Sequence, residues 1–138
     1  MPAKIITITN VKGGVGKSIS SLFMSNLLAD QGLKVLLLDL DSQNSLTGFY
    51  VDSYEQIENK TIFEVLLDKV KIEDVIRPVK PGVDFIPADI TLSNLTLQLT
   101  ENRDYKLFSV LQPIMDRYDV ILIDTPPNLH IETKMALA

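Results

Sequence analysis

Three short stretches of the chain are apolar at nearly every position rather than at every second one. They are residues 4–9, residues 34–39 (Lys34-Val35-Leu36-Leu37-Leu38-Asp39) and residues 119–124 (Asp119-Val120-Ile121-Leu122-Ile123-Asp124). Continuous apolarity of this length suits parallel strands covered by helices on both faces. A weaker fourth candidate, Val83-Asp84-Phe85-Ile86, is set off by Pro81-Gly82 before it and Pro87 after it. Between the first two strands Ile19, Leu22, Phe23 and Leu27 recur at helical spacing. Gly32 stands where that helix would be closed. The order is strand, loop, helix, strand: a βαβ unit.

Further along, Thr61 followed by Glu64 predicts a capping box for a short helix carrying Ile62, Val65 and Leu66. Residues 103–117 place Leu107, Phe108, Leu111, Ile114 and Met115 on one face, and Pro113 inside that pattern is expected to kink or split the helix. Residues 42–60 are polar and irregular and are expected to form a surface excursion. There is no internal repeat, low-complexity tract or linker. The pattern predicts an α/β fold, a mostly parallel sheet with helices on both faces.

Composition narrows this picture. The 138 residues suffice for one ordinary domain. Hydrophobic residues make up 46% and charged residues 22%, a globular balance. The formal charge of −5 gives nucleic acid no obvious phosphate-binding face. With no cysteine, the chain has no disulfide framework, thiolate zinc site or cysteine-held iron–sulfur cluster, and one histidine argues against an imidazole metal site. Met1-Pro2-Ala3-Lys4 runs straight into the first strand without a signal-peptide core. No apolar run approaches the ~20 residues that span a bilayer. A soluble, cytoplasmic protein without a membrane partner is expected.

The chemistry is concentrated after the first strand, in Asn10-Val11-Lys12-Gly13-Gly14-Val15-Gly16-Lys17-Ser18. Glycines let the backbone turn so that successive N–H groups point at phosphate oxygens, and the following helix adds its partial positive charge. Lys17 would reach the β- and γ-phosphates and the Ser18 hydroxyl would bind Mg²⁺. The plain alternative is a glycine-rich strand-to-helix turn with solvated lysines. A chance Lys-Gly-Gly-x-Gly-Lys-[Ser/Thr] in such a chain has odds of roughly one in 10⁴–10⁵.

Lys12-Gly13-Gly14-Val15-Gly16-Lys17-Ser18 resembles the deviant Walker A motif of the ParA/MinD ATPases, in which a second, signature lysine precedes the glycines. That family does not require a glycine at the position of Val11. It does usually carry two hydroxyl residues after the second lysine, whereas here Ser18 is followed by Ile19. The hydroxyl offered to the α-phosphate is then missing, and the backbone N–H of Ile19 remains. The resemblance implies a P-loop NTPase fold with Lys12, Gly13, Gly14, Val15, Gly16, Lys17, Ser18 and Ile19 binding ATP or ADP.

The acidic positions extend the resemblance. Asp39-Leu40-Asp41-Ser42-Gln43-Asn44 is similar to the family's Asp-x-Asp-Pro-Gln segment, with Ser42 replacing proline. At the carboxyl end of a parallel strand, both acids would face the ligand crevice. The resemblance implies that Asp39 supports the Mg²⁺ shell through water and that Asp41 positions or activates the attacking water. Val120-Ile121-Leu122-Ile123-Asp124 forms a Walker B pattern whose Asp124 would hold Mg²⁺ through its waters. Thr125-Pro126-Pro127 directly after it is similar to the family's switch segment. Each acid could instead cap a loop or end a buried strand. Arg77 reads as a surface charge, and His130 as a solvated or packing residue.

By the same resemblance, two ATP-bound subunits form a homodimer in which Lys12 of each reaches the other's nucleotide. Lys12, Lys17 and Asp41 are then the catalytic set, and Ser18, Asp39 and Asp124 the metal set. The partners implied are a centromere-binding ParB-type protein and nonspecific DNA, the latter through residues beyond this chain, which would associate the intact protein with the nucleoid. The leading reading is a partition ATPase of plasmids or chromosomes. The alternatives are a truncated nucleotide-binding module without turnover, a MinD-like positioning ATPase and a small-molecule ligase-type relative. The family's domain is longer than 138 residues, so residues 1–138 are expected to be its C-terminally truncated, N-terminal portion. Such a piece is expected to expose sheet edge and apolar surface and to self-associate.

Overall fold

Leu36, Leu37 and Leu38 are all fully buried, which three consecutive strand residues achieve only when both faces of the sheet are covered. The computed structural model describes residues 3–8, 15–40, 45–88 and 103–124. Its five strands are β1 (Lys4–Ile8), β2 (Val35–Asp39), β3 (Arg77–Lys80), β4 (Val83–Ile86) and β5 (Val120–Asp124). They lie in the order β1-β5-β2-β4-β3. The first four of that order are parallel, and β3 pairs antiparallel with β4 at one edge. Pro78 sits in this edge strand, where a missing N–H costs no interior ladder bond. Among the described residues β1 forms the other edge.

Alternate side chains feed two cores. Leu36, Leu38, Ile86, Ile121 and Ile123 pack against Ile62 and Leu66 of α3 (Ile62–Leu66), Leu107 and Leu111 of α4 (Arg103–Leu111), and Ile114. Val35, Leu37, Val83, Phe85, Val120 and Leu122 pack on the opposite face, with Leu22, Leu28 and Ala29 of α1 (Val15–Asp30) and Leu46 and Tyr50 of α2 (Ser45–Tyr50). This is the expected mostly parallel sheet with helices on both faces.

Helix α1 forms where its spacing predicts, yet the apolar residues divide. Leu22 packs on the sheet, while Ile19, Phe23 and Leu27 are 57%, 68% and 47% exposed. The inward positions are Ser21 and Ser25, both fully buried, together with Leu28 and Ala29. Ser25 satisfies its hydroxyl by donating to the Leu22 carbonyl at 2.8 Å, and small residues let the helix approach the sheet closely. The helix closes on Gly32, at φ 89°, with Gly32 N–H on the Ala29 carbonyl and Leu33 N–H on the Leu28 carbonyl, a Schellman arrangement.

The capping box is present: Phe63 N–H donates to Thr61 Oγ1, and Thr61 N–H to Glu64 Oε1 at 2.8 Å. The 103–117 segment splits at its proline, α4 ending at Leu111 and a 3₁₀ turn running over Gln112–Arg117. Residues 42–60 correct the expectation of an irregular excursion. They contain α2 and a 3₁₀ turn over Tyr54–Ile57, with Leu46, Thr47, Val51 and Ile57 buried. Six residues are too few to display a helical period, and Leu46 and Tyr50 acquire their apolar setting only from the sheet.

Candidate functional site

Strand β1 leads towards α1, whose first four residues are Val15, Gly16, Lys17 and Ser18. An α-helix leaves the N–H groups of its first turn without partners inside the helix, so this end offers donors and partial positive charge. Lys12, Gly13, Gly14, Asp41, Thr125, Pro126, Pro127 and His130 lie outside the described residues. Ile19 follows Ser18 in the same helix, its side chain largely exposed.

The pairing of the strands brings two predicted acids together. Asp39 and Asp124 are register partners at the carboxyl ends of β2 and β5, and Ile8 is the partner of Asp124 on β1. Two residues back along each strand stand Leu37 and Leu122, which pack against the α1 side of the sheet. By strand alternation both carboxylates belong to that same face. Both are fully buried. Leu40 N–H donates to the Asp124 carbonyl at 2.9 Å, extending the ladder one residue past β2 and fixing the two strand ends.

Asp39 is held from α2. Its Oδ2 accepts from the Thr47 amide at 3.0 Å and from the Thr47 hydroxyl at 2.7 Å. The hydroxyl oxygen in turn accepts from Ala88 N–H at 2.9 Å. Thr47 was not marked by the sequence, because a threonine in a polar stretch is indistinguishable from a capping or solvated one. Its role depends on α2 folding back over the strand ends.

Asp39 and Asp124 bring carboxylate oxygens to adjacent strand ends. Hard oxygen donors so placed suit a small divalent cation. Among the described residues no three His, Cys, Asp or Glu side chains converge as a complete metal cage. Mg²⁺ typically takes one or two carboxylates and fills its other positions with water and phosphate oxygens.

The remaining charged residues do not join this site. Arg77 donates to the Gln56 carbonyl at 3.4 Å near the β3 edge. At the opposite end of the strands a cavity of about 470 Å³ is lined by Lys34, Glu73, Asp84, Arg117 and Tyr118. There the Tyr118 hydroxyl donates to Asp84 Oδ2 at 2.7 Å. Burial, then the hydrogen bond and negative charge of Asp84, push the phenol well above its ordinary value. No described helix is long and apolar enough to cross a membrane.

A family model described as an AAA domain matches residues 3–138. The chromosome partitioning protein ParA of Caulobacter vibrioides is 35% identical over 142 aligned residues, which take in 99% of this chain and 52% of that protein. A plasmid partition protein of Borrelia burgdorferi, solved with AMPPNP bound, superposes with a TM-score of 0.91 at 38% identity over 99% of this chain and 59% of the other. Cobyrinic acid a,c-diamide synthase of Mycobacterium smegmatis, solved with ADP and magnesium, gives a TM-score of 0.90 at 31% identity, covering 98% of this chain and 55% of the other. The chain thus spans about half the length of the curated relative and somewhat more of the solved ones.

Proposed function

The chain belongs to the ParA-type AAA domain family, and from that membership we propose that the protein binds ATP with Mg²⁺, hydrolyses it to ADP and phosphate, and uses the cycle in plasmid or chromosome segregation. The observation that carries this reading is the pair Asp39 and Asp124. They are buried, in register, and on the α1 face of the sheet, at the carboxyl ends of their strands. Ligands of open α/β sheets bind at this carboxyl end.

In this reading the backbone N–H groups of Gly13, Gly14, Val15, Gly16 and Ile19 receive phosphate oxygens, and the Lys17 ammonium lies on the β- and γ-phosphates. Ser18 would hold Mg²⁺ directly, and Asp39 and Asp124 would hold it through water. The cation, when bound, neutralises charge on the phosphates. Asp41 accepts a hydrogen bond from the attacking water and orients it. Lys12 of a second copy completes the charge stabilisation in trans, so turnover requires an ATP-bound dimer. Phosphoryl transfer to water needs positioning and electrostatics more than covalent chemistry, which this residue set provides. A centromere-binding, ParB-type protein is the proposed partner. A nonspecific DNA contact is not assigned to these 138 residues, whose formal charge is −5.

Lys12→Ala and Lys17→Ala test the assignment. Lys12→Ala is expected to lose ATP turnover and keep nucleotide binding, while Lys17→Ala loses binding itself. Unchanged turnover in Lys12→Ala excludes the trans role. Ile19, standing where relatives offer a second hydroxyl, favours one other reading, a nucleotide-binding module without turnover. Phosphate release measured beside nucleotide binding on the same preparation separates the two.

A further inference from the structure

We propose that Thr47 is a positioning residue for Asp39, fixing its carboxylate for the Mg²⁺ shell; this rests on the nucleotide-binding reading above. Thr47 is the third residue of α2 and is fully buried. Its two donors, amide and hydroxyl, converge on one oxygen of Asp39 at 3.0 and 2.7 Å. The hydroxyl can point only one way. Ala88 N–H donates to Thr47 Oγ1 at 2.9 Å, so an oxygen lone pair faces Ala88 and the hydroxyl proton faces the carboxylate. Two bonds on the same oxygen restrain rotation about the Asp39 side chain. The support comes from two separate places, the helix that follows β2 and the chain just beyond β4.

This arrangement has the form of an outer-shell support. Partners of direct metal ligands contribute to metal affinity without touching the metal, typically about 10–100-fold. Asp39 acts through water, so the effect of Thr47 is expected at the low end of that range. Valine has the shape of threonine without its hydroxyl. It would remove the hydroxyl bond to Asp39, keep the amide bond, and strip Ala88 N–H of the Thr47 acceptor. Serine keeps both bonds.

The test is a titration of a fluorescent ADP analogue over a range of Mg²⁺, and again in EDTA, for wild type, Thr47→Val and Thr47→Ser. Thr47→Val is expected to raise the half-effective Mg²⁺ concentration by about tenfold. Its nucleotide affinity in EDTA stays within about twofold of wild type, and Thr47→Ser returns the Mg²⁺ midpoint towards wild type. A folded Thr47→Val with an unmoved midpoint, or with equal loss in EDTA and in Mg²⁺, overturns the proposal. If Thr47→Val does not fold, Thr47→Cys, with its weak S–H donor, is expected to show an intermediate shift, and no shift overturns the proposal. A wild-type protein that binds nucleotide without any Mg²⁺ dependence removes the metal-site reading and this inference together. A Mg²⁺-responsive wild type beside an unmoved variant removes only the role of Thr47.

Discussion

Asp39 and Asp124 face each other across β2 and β5 as register partners, and neither is reached by solvent. Asp124→Asn is expected to erase the additional stabilisation that Mg²⁺ gives to the nucleotide-bound protein. Thermal melts in EDTA, with ADP, and with Mg²⁺ and ADP check this. A variant that keeps the full Mg²⁺ increment contradicts it.

The bond from Tyr118 to Asp84 ties the approach of β5 to β4 at the other end of the sheet. The folded-state phenol is raised above its ordinary value of 10.0 by burial first and by Asp84 second. The folded protein thus holds this proton more tightly than the unfolded chain. The associated stability is fully present below pH 10 and is lost as pH rises from there towards the folded value. Tyr118→Phe is expected to cost about 1–2 kcal/mol at pH 7 by removing a donor from a carboxylate, and to flatten this alkaline loss. Denaturant unfolding at pH 7, 9 and 10.5 measures both. An unchanged alkaline slope assigns it to another group.

Ile19, Phe23 and Leu27 follow one another at intervals of four on the outer side of α1, and Phe23 is 68% exposed. Phe23→Gln should change stability by no more than about 0.5 kcal/mol and should shift the 138-residue chain towards monomer in sedimentation velocity. Leu37→Ala, at a fully buried β2 position, is expected to cost about 3 kcal/mol. Equal sedimentation of wild type and Phe23→Gln would remove this stripe as the source of association.

The strands were readable because burial on both faces leaves a run such as Leu36-Leu37-Leu38 with no polar interruption. The Thr61–Glu64 box and the break at Pro113 were readable because each rests on local backbone chemistry. The orientation of α1 was not. Periodicity identifies an apolar stripe, but the sheet accepted the small side of the helix, Ser21, Ser25 and Ala29, and left the bulky side outward. Strand β3 escaped notice because four residues with a proline carry no clear alternation. Of the candidate site, the phosphate loop and the acids were visible as motifs in the sequence. That Asp39 and Asp124 would be neighbours depended on β5 inserting between β1 and β2, a topological fact beyond any local pattern.

That insertion also divides the site mechanically. Asp39 and Asp124 end strands that are laddered on both sides, whereas β1, among the described residues, is laddered to β5 alone. A strand held along one side can detach in a sub-global opening that leaves the interior ladder intact. The acids and β1 then belong to units of unequal local stability. A nucleotide bridging them would act as a clasp on the weaker one, and its occupancy would be visible as slowed amide exchange along Lys4–Ile8 before any change in β2.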